Sequence, residues 1–338
     1  MNFTKKKVIT KYMKTFIILI SFFSILQAAS CRNAEVEVDG SEQDSIQWAK
    51  VPFADPFILL YNGTYYAYGT HAADGIEVLV SNDLYHWERP EGIQNGLALK
   101  KSDVWGDQGF WAPEVYHVDG TFYMYYTANE HICVATSKSP LGPFKQETQQ
   151  PMLDGEKSID NSLFIDDDDE PYLIFDRFND GLNIWIARLN DNLQEIEKES
   201  LYPCIHVSQE WETVWPRVNE GSFIIKHKGI YYMVYSANSY ESPFYGIGFA
   251  TATNLFGTWT KYEGNPILQK PGDLNGVGHC ALFRDKDNIL RIVFHAHNSQ
   301  TNIHPRHMYI GTVKFQEKEG VDVMTVDPDF IIPVWHNN

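Results

Sequence analysis

Five times along the chain a short turn is followed by a run in which aromatic and aliphatic residues alternate or crowd together. The runs are Asn62-Gly63-Thr64-Tyr65-Tyr66-Ala67-Tyr68, Asp119-Gly120-Thr121-Phe122-Tyr123-Met124-Tyr125 and Asp169-Glu170-Pro171-Tyr172-Leu173-Ile174-Phe175. Two more follow, Lys228-Gly229-Ile230-Tyr231-Tyr232-Met233-Val234-Tyr235 and the weaker Asp287-Asn288-Ile289-Leu290-Arg291-Ile292-Val293-Phe294. Counted from Gly63, Gly120, Glu170, Gly229 and Asn288, they recur at spacings of 57, 50, 59 and 59. A strand precedes each turn, so each unit opens as a hairpin. Most units continue into a further short strand and a small-residue turn ending on an aromatic, as in Ser81-Asn82-Asp83-Leu84-Tyr85-His86-Trp87 and Thr253-Asn254-Leu255-Phe256-Gly257-Thr258-Trp259. No long amphipathic helix is visible. Repeats of roughly 40–50 residues with four strands are the mark of propeller blades, so the expected fold is all-β, a five-bladed β-propeller of four-stranded antiparallel blades over 49–338. A β-sandwich has no reason to repeat at this period.

In a propeller the first strand of each blade lines the central axis, and the residues opening those strands converge on one mouth. One strand length before each turn stand Asp55, Glu114, Asp160, Glu220 and His279. Grouping like charges on a closed axis raises their pKa values and costs stability, so such clustering points to function. Glu114 remains open between a substrate contact and a residue closing the channel through hydrogen bonds. Trp105, Trp111, Trp211 and Trp215 lie on the approaches to the same strands; each suits either a sugar-stacking floor or a core.

Composition narrows the partners. The formal charge of −17 argues against nucleic acid, which needs clustered Lys and Arg, and suits a neutral polysaccharide. Aromatic residues make up 14% of the chain, and their flat faces suit sugar rings. Residues 1–31 read as an export signal: lysines 5, 6, 7, 11 and 14, an apolar run from Phe16 to Leu26, then Ala28-Ala29-Ser30-Cys31. This resembles a bacterial lipoprotein signal with Cys31 as the lipidated mature N-terminus, although Ala28 stands where Leu is commoner; an ordinary signal cut near Ala29, and a start at Met13, are the alternatives. Residues 32–48 read as a flexible tether. The expected location is the periplasm or cell surface, anchored by lipid to the outer membrane. Cys133, Cys204 and Cys280 form neither a disulfide framework nor a zinc site. The acidic run Asp166–Asp169 lacks the glycine and terminal Glu of a calcium loop and reads as a hairpin turn.

Ala-Asp-Pro-Phe around Asp55, Trp-Ala-Pro-Glu at 111–114, Ile-Asp-Asn-Ser at 159–162, Asn-Glu-Gly at 219–221 and Gly-His at 278–279 resemble glycoside hydrolase family 43. The resemblance implies an inverting hydrolase in which Asp55 is the general base, Glu220 the general acid and Asp160 the carboxylate that orients the acid and raises its pKa. An inverting enzyme needs its two carboxyls roughly 6.5–9.5 Å apart, with a water between. The resemblance further implies a sugar contact from Arg306, and the residues themselves add Trp111, Trp215 and Glu114 as candidates for sugar contacts. It gives His279 the role of holding a water or a metal such as Ca2+, with no cofactor required. The histidines at 295, 297, 304 and 307 suggest a second site less well than scattered, separately satisfied residues. The expected substrate is a pentose-rich plant polysaccharide and the expected activity that of an α-L-arabinofuranosidase. The alternatives are a β-xylosidase, an endo-arabinanase or galactan-degrading enzyme of the same fold, a non-catalytic glycan-binding propeller, and a retaining fructan hydrolase with an Asp nucleophile.

Overall fold

The computed structural model describes residues 47–336. The export signal, Cys31 and the tether up to residue 46 lie outside the described residues. Trp48, at the tether's end, packs edge-on against His86 and His336.

The described chain is almost entirely β, with only short 3-10 turns. Five sheets follow one another in sequence, antiparallel but for one short parallel pair in the first. Their inner strands are Ala54–Tyr61, Trp111–Val118, Ser158–Ile165, Asn219–His227 and Gly278–Arg284. Each of these strands contacts the next, and the last contacts the first, so they form a closed ring. Each inner strand turns into a second strand: Thr64–Thr70, Thr121–Ala128, Pro171–Phe178, Ile230–Ala237 and Leu290–Ala296. The turns pivot on left-handed residues, Gly63, Gly120, Asp169, Gly229 and Asn288, and the acidic run at 166–169 is one of them. The second strands lie mid-sheet, buried on both faces. That position explains their near-continuous aromatic and β-branched runs, which suit a pleated, packed surface.

The expectation of five four-stranded blades holds for four sheets and is corrected for the second. There only three strands pair, and Phe144–Lys145 stands in for the fourth through a single bridge to Thr136. Phe144 spends its amide on Ala98 of the first sheet instead, at 2.9 Å. The first sheet also takes in both ends of the described chain: Val334–Trp335 runs parallel to His86–Glu88, and Ala49–Lys50 pairs with it antiparallel. Fully buried Trp87, Tyr68, Phe53, Phe110 and Tyr309 fill the largest apolar cluster. The three described cysteines are unbridged, Cys133 and Cys280 being buried.

Candidate active site

Every inner strand carries a bulge near its start, at the same register in all five sheets. The residue at the bulge has positive φ: Asp55 (47°), Ala112 (45°), Asp160 (58°), Gly221 (59°) and His279 (49°). Such backbone is uncommon for residues with a Cβ and marks functional clusters when over-determined by its surroundings. What determines it here is a cyclic set of hydrogen bonds. The amide of each bulge residue donates to a side chain at or near the end of the preceding sheet's second strand. Ala112 N–H reaches Thr70 Oγ1 at 2.9 Å and Asp160 N–H reaches Thr127 Oγ1 at 3.0 Å. Gly221 N–H reaches Asp176 Oδ2 at 2.9 Å, and His279 N–H reaches Ser236 Oγ at 2.7 Å. Asp55 N–H closes the circle onto His295 Nδ1 at 3.1 Å.

The bulges aim side chains into a cavity of about 510 Å³ lined by Asp55, Asp160, Glu220, His279, Trp111 and Arg306, with Tyr240 and His71 at its wall. Six of the expected site residues thus share one pocket. Glu114 and Trp215 do not line it. Glu114 is not the bulge residue of its sheet; Ala112 is, and Glu114 lies two residues deeper, accepting from the Tyr116 hydroxyl, which also reaches Ser162 at 3.2 Å. Burial pushes the Glu114 carboxyl up to about 8, which fits the channel-closing alternative. Trp215 is 55% exposed, and its amide caps onto Asn238. Trp211 packs on Tyr235 and Trp105 on His131, both away from the pocket.

Arg306 grips Asp55 with its two terminal guanidinium nitrogens, at 2.9 and 3.4 Å. His295 Nδ1 lies 3.3 Å and His279 Nδ1 3.5 Å from Asp55 Oδ1. Burial alone would raise the Asp55 carboxyl, but the Arg306 charge, with the two histidines, outweighs it and holds the group well below the ordinary carboxylate range. Burial and Arg306 press the other way on His295, down to about 3, so it is neutral. Glu220 is held differently. Its Oε1 accepts from Tyr245 Oη at 2.8 Å. Burial, with the Asp55 charge, carries the Glu220 carboxyl up to about 7 against the lowering effects of Tyr245 and Arg306. Two carboxyls in one pocket are driven apart, which is the pattern of an acid–base pair.

Asp160 shares the pocket with Glu220. It is itself pushed well above the carboxylate range, by burial first and then by Glu220 and Asp55. Asp160 and Glu220 repel one another as like charges, so each resists ionisation while the other is charged, and burial adds to the rise of both. Asp176, Tyr245 and, at the pocket wall, Tyr240 and His71 have no counterpart in the sequence reading, and His295 stands there among scattered histidines.

The donors around His279 do not fit a calcium cage, which wants six to eight oxygens. Its Nδ1 faces Asp55 and, at 3.8 Å, Asp160, and Asp55 is committed to Arg306. Among the described residues no three or more His, Cys, Asp or Glu gather to hold a metal.

Known proteins resemble the chain in sequence and fold. The model of the Glycosyl hydrolases family 43 matches residues 50–320. The chain superposes with a TM-score of 0.80 on the crystal structure of an endo-1,4-beta-xylanase from Bacteroides thetaiotaomicron VPI-5482, at 45% identity over 87% of this chain and 100% of that one. A thermostable family-43 glycoside hydrolase follows with a TM-score of 0.74 at 36% identity, over 83% and 95% of the two chains. A beta-D-galactofuranosidase of Aspergillus niger is 23% identical over 265 residues, 72% of this chain and 73% of that protein.

Proposed function

Since the chain belongs to glycosyl hydrolase family 43 and is a glycoside hydrolase of the inverting class, we propose that Asp55 is its general base, Glu220 its general acid, and a pentose-bearing plant polysaccharide its substrate. The observation that carries the assignment is that Arg306 pairs with Asp55 while Glu220 faces the same pocket with only the Tyr245 hydroxyl, so that Asp55 is driven below the carboxylate range and Glu220 up to about 7. A water on one face of the sugar gives a proton to Asp55 as its oxygen bonds to the anomeric carbon. The glycosidic bond breaks on the other face, and the departing oxygen takes the Glu220 proton. Exchange with solvent then resets both groups. The grip of Arg306 makes Asp55 a weak base but keeps it charged, and Asp160 is the third carboxyl, which orients the acid and tunes its pKa. The three-stranded second sheet reads as the fifth blade of the ring, since its bulge joins the same cycle of hydrogen bonds.

Within the family's range the reading favoured here is removal of α-L-arabinofuranosyl groups. A second reading, action on β-linked xylose, is favoured by the 45% identity to the protein named endo-1,4-beta-xylanase. A panel of aryl arabinofuranosides, xylosides and galactosides separates them. Asp55→Ala should abolish turnover on all of them. Glu220→Ala should fail on natural glycans yet keep activity on strongly activated aryl glycosides, which need little protonation. Release of the retained anomer, followed by NMR, would overturn the base assignment. We further propose export with a lipid on Cys31, which palmitate labelling of the wild type but not of Cys31→Ala would bear out.

A further inference from the structure

His71 follows the last residue of the second strand of the first sheet and lines the same cavity as Asp55 and Trp111. The acid–base pair makes no use of it. Two contacts fix the backbone just before it. Thr70 pairs with Ala54, the residue preceding Asp55, and Thr70 Oγ1 takes the amide of Ala112, the residue following Trp111, at 2.9 Å. The chain thus delivers His71 to the cavity wall with its side chain still 36% exposed.

Behind His71 lies a buried charge. Glu77 belongs to the third strand, Gly75–Ser81, and is 5% exposed. A buried carboxylate is costly unless it is paired and hydrogen-bonded. Its Oε1 takes the Arg89 guanidinium at 2.8 Å, and its Oε2 meets His71 Nδ1. Burial would raise the Glu77 carboxyl, but His71 and Arg89 outweigh it and hold the group below its ordinary value. An ionised carboxylate only accepts, so the hydrogen between Oε2 and Nδ1 belongs to the imidazole. A neutral imidazole carries one ring proton; with that proton on Nδ1, Nε2 is an acceptor. Nδ1 is turned to Glu77, which leaves the Nε2 edge for the cavity, and among the described residues no side chain or backbone group bonds to Nε2.

We propose that His71 is a specificity-determining residue whose Nε2 accepts a hydrogen bond from one hydroxyl of the sugar that is released, and that Glu77 is a positioning residue that keeps the acceptor on that nitrogen. The proposal rests on the cavity being the glycosidase site with Asp55 as base. The flat face of Trp111 offers a sugar apolar contact without reading its hydroxyl pattern. A fixed acceptor does read it, because an analogue lacking the hydroxyl leaves the acceptor unpaired. In Glu77→Gln the amide oxygen stays with Arg89, which can only donate, so the NH2 faces His71 and donates to Nδ1. The ring proton then sits on Nε2, and the acceptor is lost.

The test is a cycle of enzyme and substrate changes. It compares kcat/KM of wild type, His71→Leu, His71→Gln and Glu77→Gln on the preferred aryl glycoside and on its analogues with each hydroxyl in turn replaced by hydrogen. The intrinsic reactivity of each deoxy sugar cancels when the enzymes are compared on the same pair of substrates. At one hydroxyl the deoxy penalty should be roughly three- to tenfold larger in wild type than in His71→Leu. His71→Gln, whose amide oxygen accepts, should restore part of it, and Glu77→Gln should behave as His71→Leu. A side chain that only braced the wall would lower kcat/KM on every substrate alike. Equal penalties in wild type and His71→Leu at every hydroxyl overturn the proposal, and a penalty that survives in Glu77→Gln overturns the role of Glu77. If Glu77→Gln does not fold, the two variants at the exposed His71 decide. Equal penalties beside an inactive Asp55→Ala variant sink His71 alone, whereas undiminished turnover by Asp55→Ala sinks the base assignment beneath it.

Discussion

The backbone amide of Asp55 lies 3.1 Å from Nδ1 of His295, 240 positions away in the chain. This contact joins the first sheet to the fifth, and it belongs to the same cycle that Thr70, Thr127, Asp176 and Ser236 complete between the other sheets. One set of five hydrogen bonds therefore closes the ring and orients the carboxyls. A buried amide left without its acceptor costs about 1–3 kcal/mol, so each of these side chains holds its neighbour's bulge as well as its own strand end.

Arg306 is what keeps Asp55 charged in a buried site. Arg306→Lys retains a cation but not the two-pronged grip, which Lys cannot reproduce. The Asp55 carboxyl then rises toward the level burial would set. A base must be ionised to accept a proton, so the acidic limb of kcat/KM should move to higher pH and low-pH activity should fall first. We expect a loss of roughly 10²-fold at the optimum. Arg306→Met should also destabilise by about 3–5 kcal/mol, the cost of stranding a buried charge. A Lys variant whose acidic limb stays with wild type would show that Arg306 does not set the state of Asp55.

Tyr245 acts on the opposite limb. Its hydroxyl donates to Glu220 and so favours the ionised carboxylate, working against burial. Tyr245→Phe removes that donor and leaves the ring, which stacks on His295 at 5.7 Å, in place. Glu220 should then hold its proton to a pH higher than about 7, and the alkaline limb should extend upward while Tm changes little. A limb that retreats to lower pH would contradict the stated direction.

The repeat made the turns and inner strands legible, because turn residues and aromatic strands recur at near-constant spacing. Asp55, Asp160 and His279 were found since each sits at the bulge. Glu114 stands closer to its turn than the residues at the other bulges do, and the register puts Ala112 at that point. The acceptors of the cycle stand seven residues after the left-handed turn residues: Thr70 after Gly63, Thr127 after Gly120, Asp176 after Asp169, Ser236 after Gly229 and His295 after Asn288. One polar residue closing each apolar strand was thus a signal open to reading. Tyr245 and Arg306 lie beyond the hairpins, where the repeat sets no spacing. The missing fourth strand of the second sheet depends on Phe144 preferring Ala98, a tertiary choice without local signature.

Gly221 permits a comparison within one fold. At φ +59° a Cβ there would stand 2.9 Å from Nδ1 and 3.0 Å from Cγ of the His279 ring, whereas at Gly63, φ +79°, a Cβ meets nothing within 4 Å. Gly63→Ala should pay only the left-handed backbone penalty, about 1–2 kcal/mol. Gly221→Ala should cost more in denaturant unfolding, because the ring beneath it must move. It should also lower kcat, since His279 faces Asp55 and Asp160. Equal costs at the two glycines would mean that the His279 ring yields freely.

Trp111 and Trp215 were both expected to contact sugar, and the structure separates them. Trp111 is 39% exposed and stands at the wall of the pocket. Trp215 is more exposed and lies outside it. An aromatic face that stacks on a sugar in both the ground state and the transition state contributes uniform binding, whose loss raises KM and leaves kcat almost unchanged. Trp111→Ala should therefore raise KM by roughly tenfold, near the 1.4 kcal/mol that such a contact supplies. Trp215→Ala should leave both constants within about twofold, as for a surface substitution away from any site. The steady-state constants of the two variants on one glycan decide it: a larger KM effect at Trp215 would move the sugar's path out of the pocket and onto the loop before Glu220.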